Sequence, residues 1–168
     1  MTKKLKVGVI GAGIIAQVMH LHFLRELSDR YEIHGICDIS PDNGRNNAEA
    51  YGVTKVFTDW EELLKEPIDA VFILTSGTHA PIAIAAANAG KHVLVEKPMC
   101  FSVAEGRDMK KAADAAGVVL MVAYPKRYDP AFTRFKEEVA TVKDSRLFRV
   151  TTFEAPFLPY VKHYPLTP

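Results

Sequence analysis

Short, near-continuously apolar runs recur along this chain, and a helical pattern follows almost every one. Val71-Phe72-Ile73-Leu74 and Val118-Val119-Leu120-Met121-Val122 show no polar alternation, which is the pattern of parallel strands covered on both faces. Strands are expected over residues 5–10, 31–38, 55–57, 69–74, 92–96 and 118–122. Helical patterns fill the spaces between them, from about 14 to 27, 41 to 51, 79 to 89 and 102 to 117, and a last one runs from 129 toward 139. The helix starts are marked. Ser40-Pro41 reads as N-cap plus first helical residue, and Thr58-Asp59-Trp60-Glu61 and Ser102-Val103-Ala104-Glu105 read as capping boxes. Such β-α repetition predicts an α/β fold with a doubly wound parallel sheet.

Charge narrows the function classes. The chain has 168 residues, with 21 Lys+Arg against 20 Asp+Glu for a net charge of +1. That balance argues against nucleic-acid binding through a basic surface. The uncharged stretch from residue 70 to 90 is broken by Thr75, Ser76, Gly77, Thr78, His79 and Pro81, so no membrane span is expected. Cys37 and Cys100 form neither a disulfide framework nor a CxxC motif, and a cytoplasmic location is expected.

Gly11-Ala12-Gly13-Ile14-Ile15-Ala16 fits G-x-G-x-x-A where a strand runs into a helix, the context that gives this motif meaning. Gly11 permits the tight turn, and Gly13 lets a pyrophosphate approach the backbone. The N–H groups of Ile14 and Ile15 open the helix and, with its dipole, supply an anion site. The sheet is therefore expected to be Rossmann-like. Asp38 ends the second strand, where a carboxylate accepts from adenosine ribose hydroxyls and repels a 2′-phosphate. NAD(H) is favoured, and NADP(H) stays open because Arg45 lies downstream. A methyltransferase binding adenosylmethionine could use the same glycine turn and acid.

After the fourth strand, Thr75 and His79 fall at the carboxyl edge of the sheet, where the nicotinamide half of a dinucleotide would lie. The alternative for this loop is an ordinary helix cap, with Ser76 or Thr78 as the N-cap. Glu96-Lys97-Pro98 follows the fifth strand. An ammonium fixed there, next to the cofactor, can bind a substrate hydroxyl and stabilise negative charge on its oxygen. Glu96 could anchor that ammonium or the nicotinamide ribose, and Pro98 could turn through a cis peptide. His20 and His22, two apart on a helix, do not face one another. They read as surface or packing histidines, and no metal is assigned.

These segments together resemble the N-terminal half of the Gfo/Idh/MocA (glucose–fructose oxidoreductase / inositol dehydrogenase) family. The resemblance is carried by Val7-Gly8-Val9-Ile10-Gly11-Ala12-Gly13, Thr78-His79-Ala80-Pro81-Ile82-Ala83, and above all Ala89-Gly90-Lys91-His92-Val93-Leu94-Val95-Glu96-Lys97-Pro98. Arg127-Tyr128-Asp129-Pro130 is similar to a later family segment near the substrate cleft. Ser76-Gly77 departs from the usual Pro-Asn, and Pro125-Lys126 from a common Asn-Arg.

The resemblance implies a pyridine-nucleotide oxidoreductase acting on a sugar, cyclitol or related hydroxy compound. It makes Lys97 the active-site lysine, Glu96 its neighbour near the cofactor, and Arg127 a substrate-side candidate. It also implies that an Asp-x-x-x-His pair from a second domain completes catalysis. The alternative is a stand-alone, non-catalytic nucleotide-binding module. A methyltransferase gives no reason for Lys97, and Tyr51-x-x-x-Lys55 lies too early for short-chain dehydrogenase chemistry.

Residues 1–145 are expected to form the nucleotide domain, and 146–168 to open a second domain or linker. A strand is expected over 147–153, followed by Pro156, Pro159, Pro165 and Pro168 among aromatic residues. An apolar edge of this kind is normally paired or covered, so a homo-oligomer is expected.

Overall fold

A computed structural model describes residues 3–147 and 149–151. They fall into two compact units, one running through Ala123 and the other starting at Tyr124. The first holds six strands: β1 Leu5–Ile10, β2 Tyr31–Cys37, β3 Val56–Phe57, β4 Ala70–Ile73, β5 His92–Val95 and β6 Leu120–Val122. Every pairing is parallel, in the order β3-β2-β1-β4-β5-β6. The doubly wound sheet is as expected, and its order reverses between β1 and β4.

Alternation along the strands builds two cores. Val7 and Val9 of β1 and Ile36 of β2 face one layer, with Leu21, Leu24 and Ala48 packed over them. Ile10, Val71, Ile73, Val93 and Val95 face the other, under Leu63, Ala83, Ala86 and Met109. The helices are α1 Leu21–Glu26, α2 Pro41–Tyr51, α3 Trp60–Leu64, α4 Ala80–Asn88 and α5 Val103–Ala116. Just before α1, the chain winds as a π-helix over Ala16–His20.

Local signals set most helix ends. Ser40 Oγ accepts from the Asn43 N–H, and Ser102 with Glu105 closes the expected capping box around α5. Two caps differ. Asp59, not Thr58, caps α3: its backbone is extended at the boundary and its side chain accepts from the Glu61 N–H. Neither Ser76 nor Thr78 caps α4, because the helix begins one residue later, with His79 at the cap.

At the amino edge of the sheet, Asp69 accepts from the Lys6 N–H at 2.8 Å and its own N–H bonds back to the Lys6 carbonyl. The Lys6 N–H, then the Lys3 ammonium, hold its carboxyl below the ordinary carboxylate range against an opposing effect of burial. Its native pKa therefore lies below its unfolded value, near about 3.9. The stabilisation is complete above the unfolded value and is lost as pH falls through the native one. Urea unfolding between pH 2 and 6 should show stability falling below about pH 4, and Asp69→Asn should flatten that slope. An unchanged slope would refute the assignment.

The second unit contains a 3₁₀ turn over Pro125–Tyr128 and α6 Pro130–Ala140, whose start is capped by Asp129 as expected. Of the strand expected over 147–153, residues 147 and 149–151 carry none. Phe148, Thr152 and Phe153 lie outside the described residues, as do the prolines and aromatic residues beyond them.

Candidate functional site

The carboxyl ends of β1, β2, β4 and β5 bring the sequence candidates of the first unit to one edge of the sheet. Backbone bonds carry the ladder into the loops: Gly11 N–H to Cys37 carbonyl, Leu74 N–H to Ile10 carbonyl, and Glu96 N–H to Ile73 carbonyl. Gly11 turns with φ +91°, and a Cβ there would lie 2.8 Å from the Thr75 nitrogen. Among the described residues, no heavy atom beyond its chain neighbours lies within 4 Å of a Cβ built on Gly13. The loop is thus packed tightly against β4 at Gly11 and open at Gly13. Ile14 and Ile15 begin the helix, whose first N–H groups have no intrahelical acceptor.

Asp38 lies one residue past β2 and binds the loop directly. Its Oδ2 accepts from the Ala12 N–H at 2.8 Å and from Asn43 Nδ2 at 3.0 Å, and its Oδ1 accepts from the Ser40 N–H at 2.9 Å. A carboxylate has about four acceptor positions, so one on Oδ1 is left for a ligand hydroxyl. Arg45 is engaged by Asp42, its i−3 neighbour. Burial and the charges of Asp38 and Asp59 push the Cys37 thiol up to about 12, so Cys37 packs as a neutral thiol.

Behind the loop lie three amides that sequence reasoning did not single out. Gln17 Nε2 donates to the Ala12 carbonyl at 3.0 Å and also lies 3.5 Å from Asn43 Oδ1. Asn47 Nδ2 donates to Asn43 Oδ1 at 3.0 Å and to the Asn43 carbonyl at 2.9 Å. The signal was available, since Gln17 stands four residues after Gly13 and Asn43 and Asn47 share a helix face.

His79 is 1% exposed, with Nε2 2.7 Å from the Thr75 carbonyl and Nδ1 2.9 Å from that of Pro98. It braces the loop after β4 against the turn after β5 from beneath, rather than lining the edge. Thr75 Oγ1 is buried with no hydrogen-bond partner among the described residues. Glu96 is 8% exposed: its Oε2 accepts from the Lys97 N–H at 2.9 Å, and its Oε1 lies 2.8 Å from His20 Nε2. His20 also meets the Phe72 ring edge-on at 5.8 Å. It does pack, as expected, but its carboxylate partner is 76 residues away and left no local trace. Lys97 is exposed and followed by a cis peptide to Pro98. Arg127 belongs to the second unit, exposed in the turn Pro125–Tyr128. Among the described residues no group of three or more His, Cys, Asp or Glu is placed to hold a metal ion.

An open glycine, helix N–H groups and an acid after β2 fit a dinucleotide. A family model described as an oxidoreductase family with an NAD-binding Rossmann fold matches residues 5–124. The chain belongs to this Gfo/Idh/MocA family. Its relatives include a myo-inositol 2-dehydrogenase of Thermotoga maritima, 33% identical over 164 residues, covering 94% of this chain and 48% of that protein. A scyllo-inositol 2-dehydrogenase (NADP(+)) of Bacillus subtilis is 32% identical over 151 residues, covering 88% of this chain and 41% of that protein. Among solved structures, the WlbA dehydrogenase of Bordetella pertussis, in complex with NADH and UDP-GlcNAcA, aligns with a TM-score of 0.77 at 33% identity. That alignment covers 82% of this chain and 42% of WlbA. The chain thus spans less than half the length of each of these three proteins. The domain is an NAD(P)-binding domain of this family.

Proposed function

We propose that this chain is the cofactor-binding part of an NAD(H)-dependent dehydrogenase of a sugar, cyclitol or related hydroxy compound. The single observation that carries the reading is the shared edge of Gly13, Asp38 and Glu96-Lys97 at the carboxyl ends of β1, β2 and β5. Gly13 gives the pyrophosphate room, the helix N–H groups of Ile14 and Ile15 bind it, and Asp38 Oδ1 accepts from the adenosine ribose. Asp38 also disfavours a 2′-phosphate, so NAD(H) is the preferred cofactor. Thr75 lines the nicotinamide side, and His79 supports it from below.

Bound NAD supplies the hydride acceptor. The Lys97 ammonium donates to the substrate oxygen and stabilises negative charge developing there. Glu96 fixes the turn carrying Lys97 through that residue's own N–H. Arg127 is proposed to act on the substrate side. We read residues 1–145 as the nucleotide domain and 146–168 as the opening of the next. No helix among the described residues is long and apolar enough to cross a membrane, and the free thiols Cys37 and Cys100 suit the cytoplasm. The chain is proposed to self-associate.

Isothermal titration of the chain with NADH should show saturable binding at one site per chain, weaker for NADPH. Light scattering at tens of micromolar should show a mass above the monomer. Absence of NADH binding overturns the cofactor reading, and a clean monomer overturns self-association. Hydride transfer with a polyol and sugar panel tests the substrate class.

A further inference from the structure

We infer that Asn43 is a positioning residue that sets the cofactor preference of Asp38, locking it to the glycine loop through a buried amide relay. The inference rests on the dinucleotide reading of the site. The Asn43 amide works in both directions. Its Nδ2 donates to Asp38 Oδ2 at 3.0 Å, while its Oδ1 accepts from Asn47 Nδ2 at 3.0 Å and faces Gln17 Nε2 at 3.5 Å. Those contacts fix which end of the amide faces the acid. Gln17 donates to the Ala12 carbonyl, and Asp38 accepts from the Ala12 N–H. The central residue of Gly11-Ala12-Gly13 is therefore gripped at both its N–H and its C=O.

Such a relay is costly behind a loop. Asn47 and Gln17 are 1% and 8% exposed, and Asn47 Oδ1 is buried with no hydrogen-bond partner among the described residues. Apolar side chains of similar volume would pack there without that penalty. What they could not do is hold Asp38 Oδ2 occupied and Oδ1 turned toward the ligand. With Oδ2 saturated by Ala12 and Asn43, the carboxylate presents one acceptor and its full charge to the ribose, which favours a hydroxyl and disfavours a phosphate. Without the Asn43 donor, Asp38 keeps the Ala12 N–H on Oδ2 and the Ser40 N–H on Oδ1 but can pivot about those two bonds, and the ribose contact weakens while a 2′-phosphate meets less opposition.

The test is NADH and NADPH affinity, by tryptophan or nicotinamide fluorescence, for the unaltered chain, Asn43→Ala and Asn43→Asp. Asn43 sits in the first turn of α2 and is half-buried, and the Asp variant keeps its shape. Asn43→Ala should weaken NADH about tenfold with NADPH changed less than about threefold, so that the ratio between them narrows. Asn43→Asp, which sets a second carboxylate against Asp38, should weaken NADH at least as much. A merely structural role would weaken both nucleotides in proportion, and that result overturns the inference. Unchanged or tighter NADH binding in both variants overturns it too. If the unaltered chain binds neither nucleotide, the cofactor reading falls and takes the inference with it. Binding by the unaltered chain with an unmoved ratio removes the inference alone.

Discussion

Gly11→Ala is expected to destabilise the fold by about 3–5 kcal/mol, from left-handed backbone strain and overpacking together. The residue turns at φ +91°. A methyl group there would meet the Thr75 nitrogen at 2.8 Å and the Leu74 carbonyl carbon at 2.9 Å. Both are backbone atoms at the end of β4, so no rotamer change relieves the overlap. The Leu74 N–H is already committed to the Ile10 carbonyl, and moving it would tear the ladder beside the loop. Since whole domains are stable by only about 5–15 kcal/mol, the variant should show an early urea midpoint and little NADH binding. A loss below about 1 kcal/mol would mean that the loop relaxes, contrary to this packing.

Gly13→Val should do the opposite. Among the described residues nothing beyond its chain neighbours lies within 4 Å of a Cβ at this position, so stability should stay within about 0.5 kcal/mol, as for other substitutions free of contacts. NADH binding should nevertheless fall by about a hundredfold or more, roughly 2.7 kcal/mol, because the side chain fills the space the pyrophosphate enters. Thermal unfolding and NADH titration on the same preparation separate the two effects. A Gly13→Val protein that binds NADH normally would place the pyrophosphate elsewhere.

Two glycines in one motif thus carry different burdens. The motif with its strand-to-helix context made both legible. The motif also divides their roles, the turn to Gly11 and ligand approach to Gly13, but the crowding at Gly11 was not legible, because the atoms that cause it follow β4. The strands were readable for a simple reason: residues such as Val71 and Ile73 are covered on both sides, so the apolar run has no gaps. Ser40 and Ser102 were readable because capping acts over three residues. Thr58 and Asp59 are both competent, and Asp59 is the one that takes the cap, accepting from the Glu61 N–H.

The contacts and residues of the site that escaped notice did so through distance or polarity. His20 finds Glu96 across 76 residues, and the π-winding that presents it breaks the period of 3.6 on which a helical reading depends. Gln17, Asn43 and Asn47 are polar, and polar positions on a helix are assigned to solvent unless a partner is known. His79 was placed at the right loop, but its two ring nitrogens meet carbonyls of two separate turns and draw it inward.

The π-winding over Ala16–His20 gives the helix a spare residue. An α-helix advances about 100° per residue, at 3.6 residues per turn, so an insertion would ordinarily rotate everything beyond it away from its packing. A single wider turn absorbs the extra residue locally. Leu21 and Leu24 keep their places in the core while His20 is handed to Glu96. Removing one residue from this stretch would let the helix revert to regular winding with its apolar face in place and the histidine gone from the carboxylate. The helix can therefore gain or lose this contact by a change in length, with its packing face left as it is.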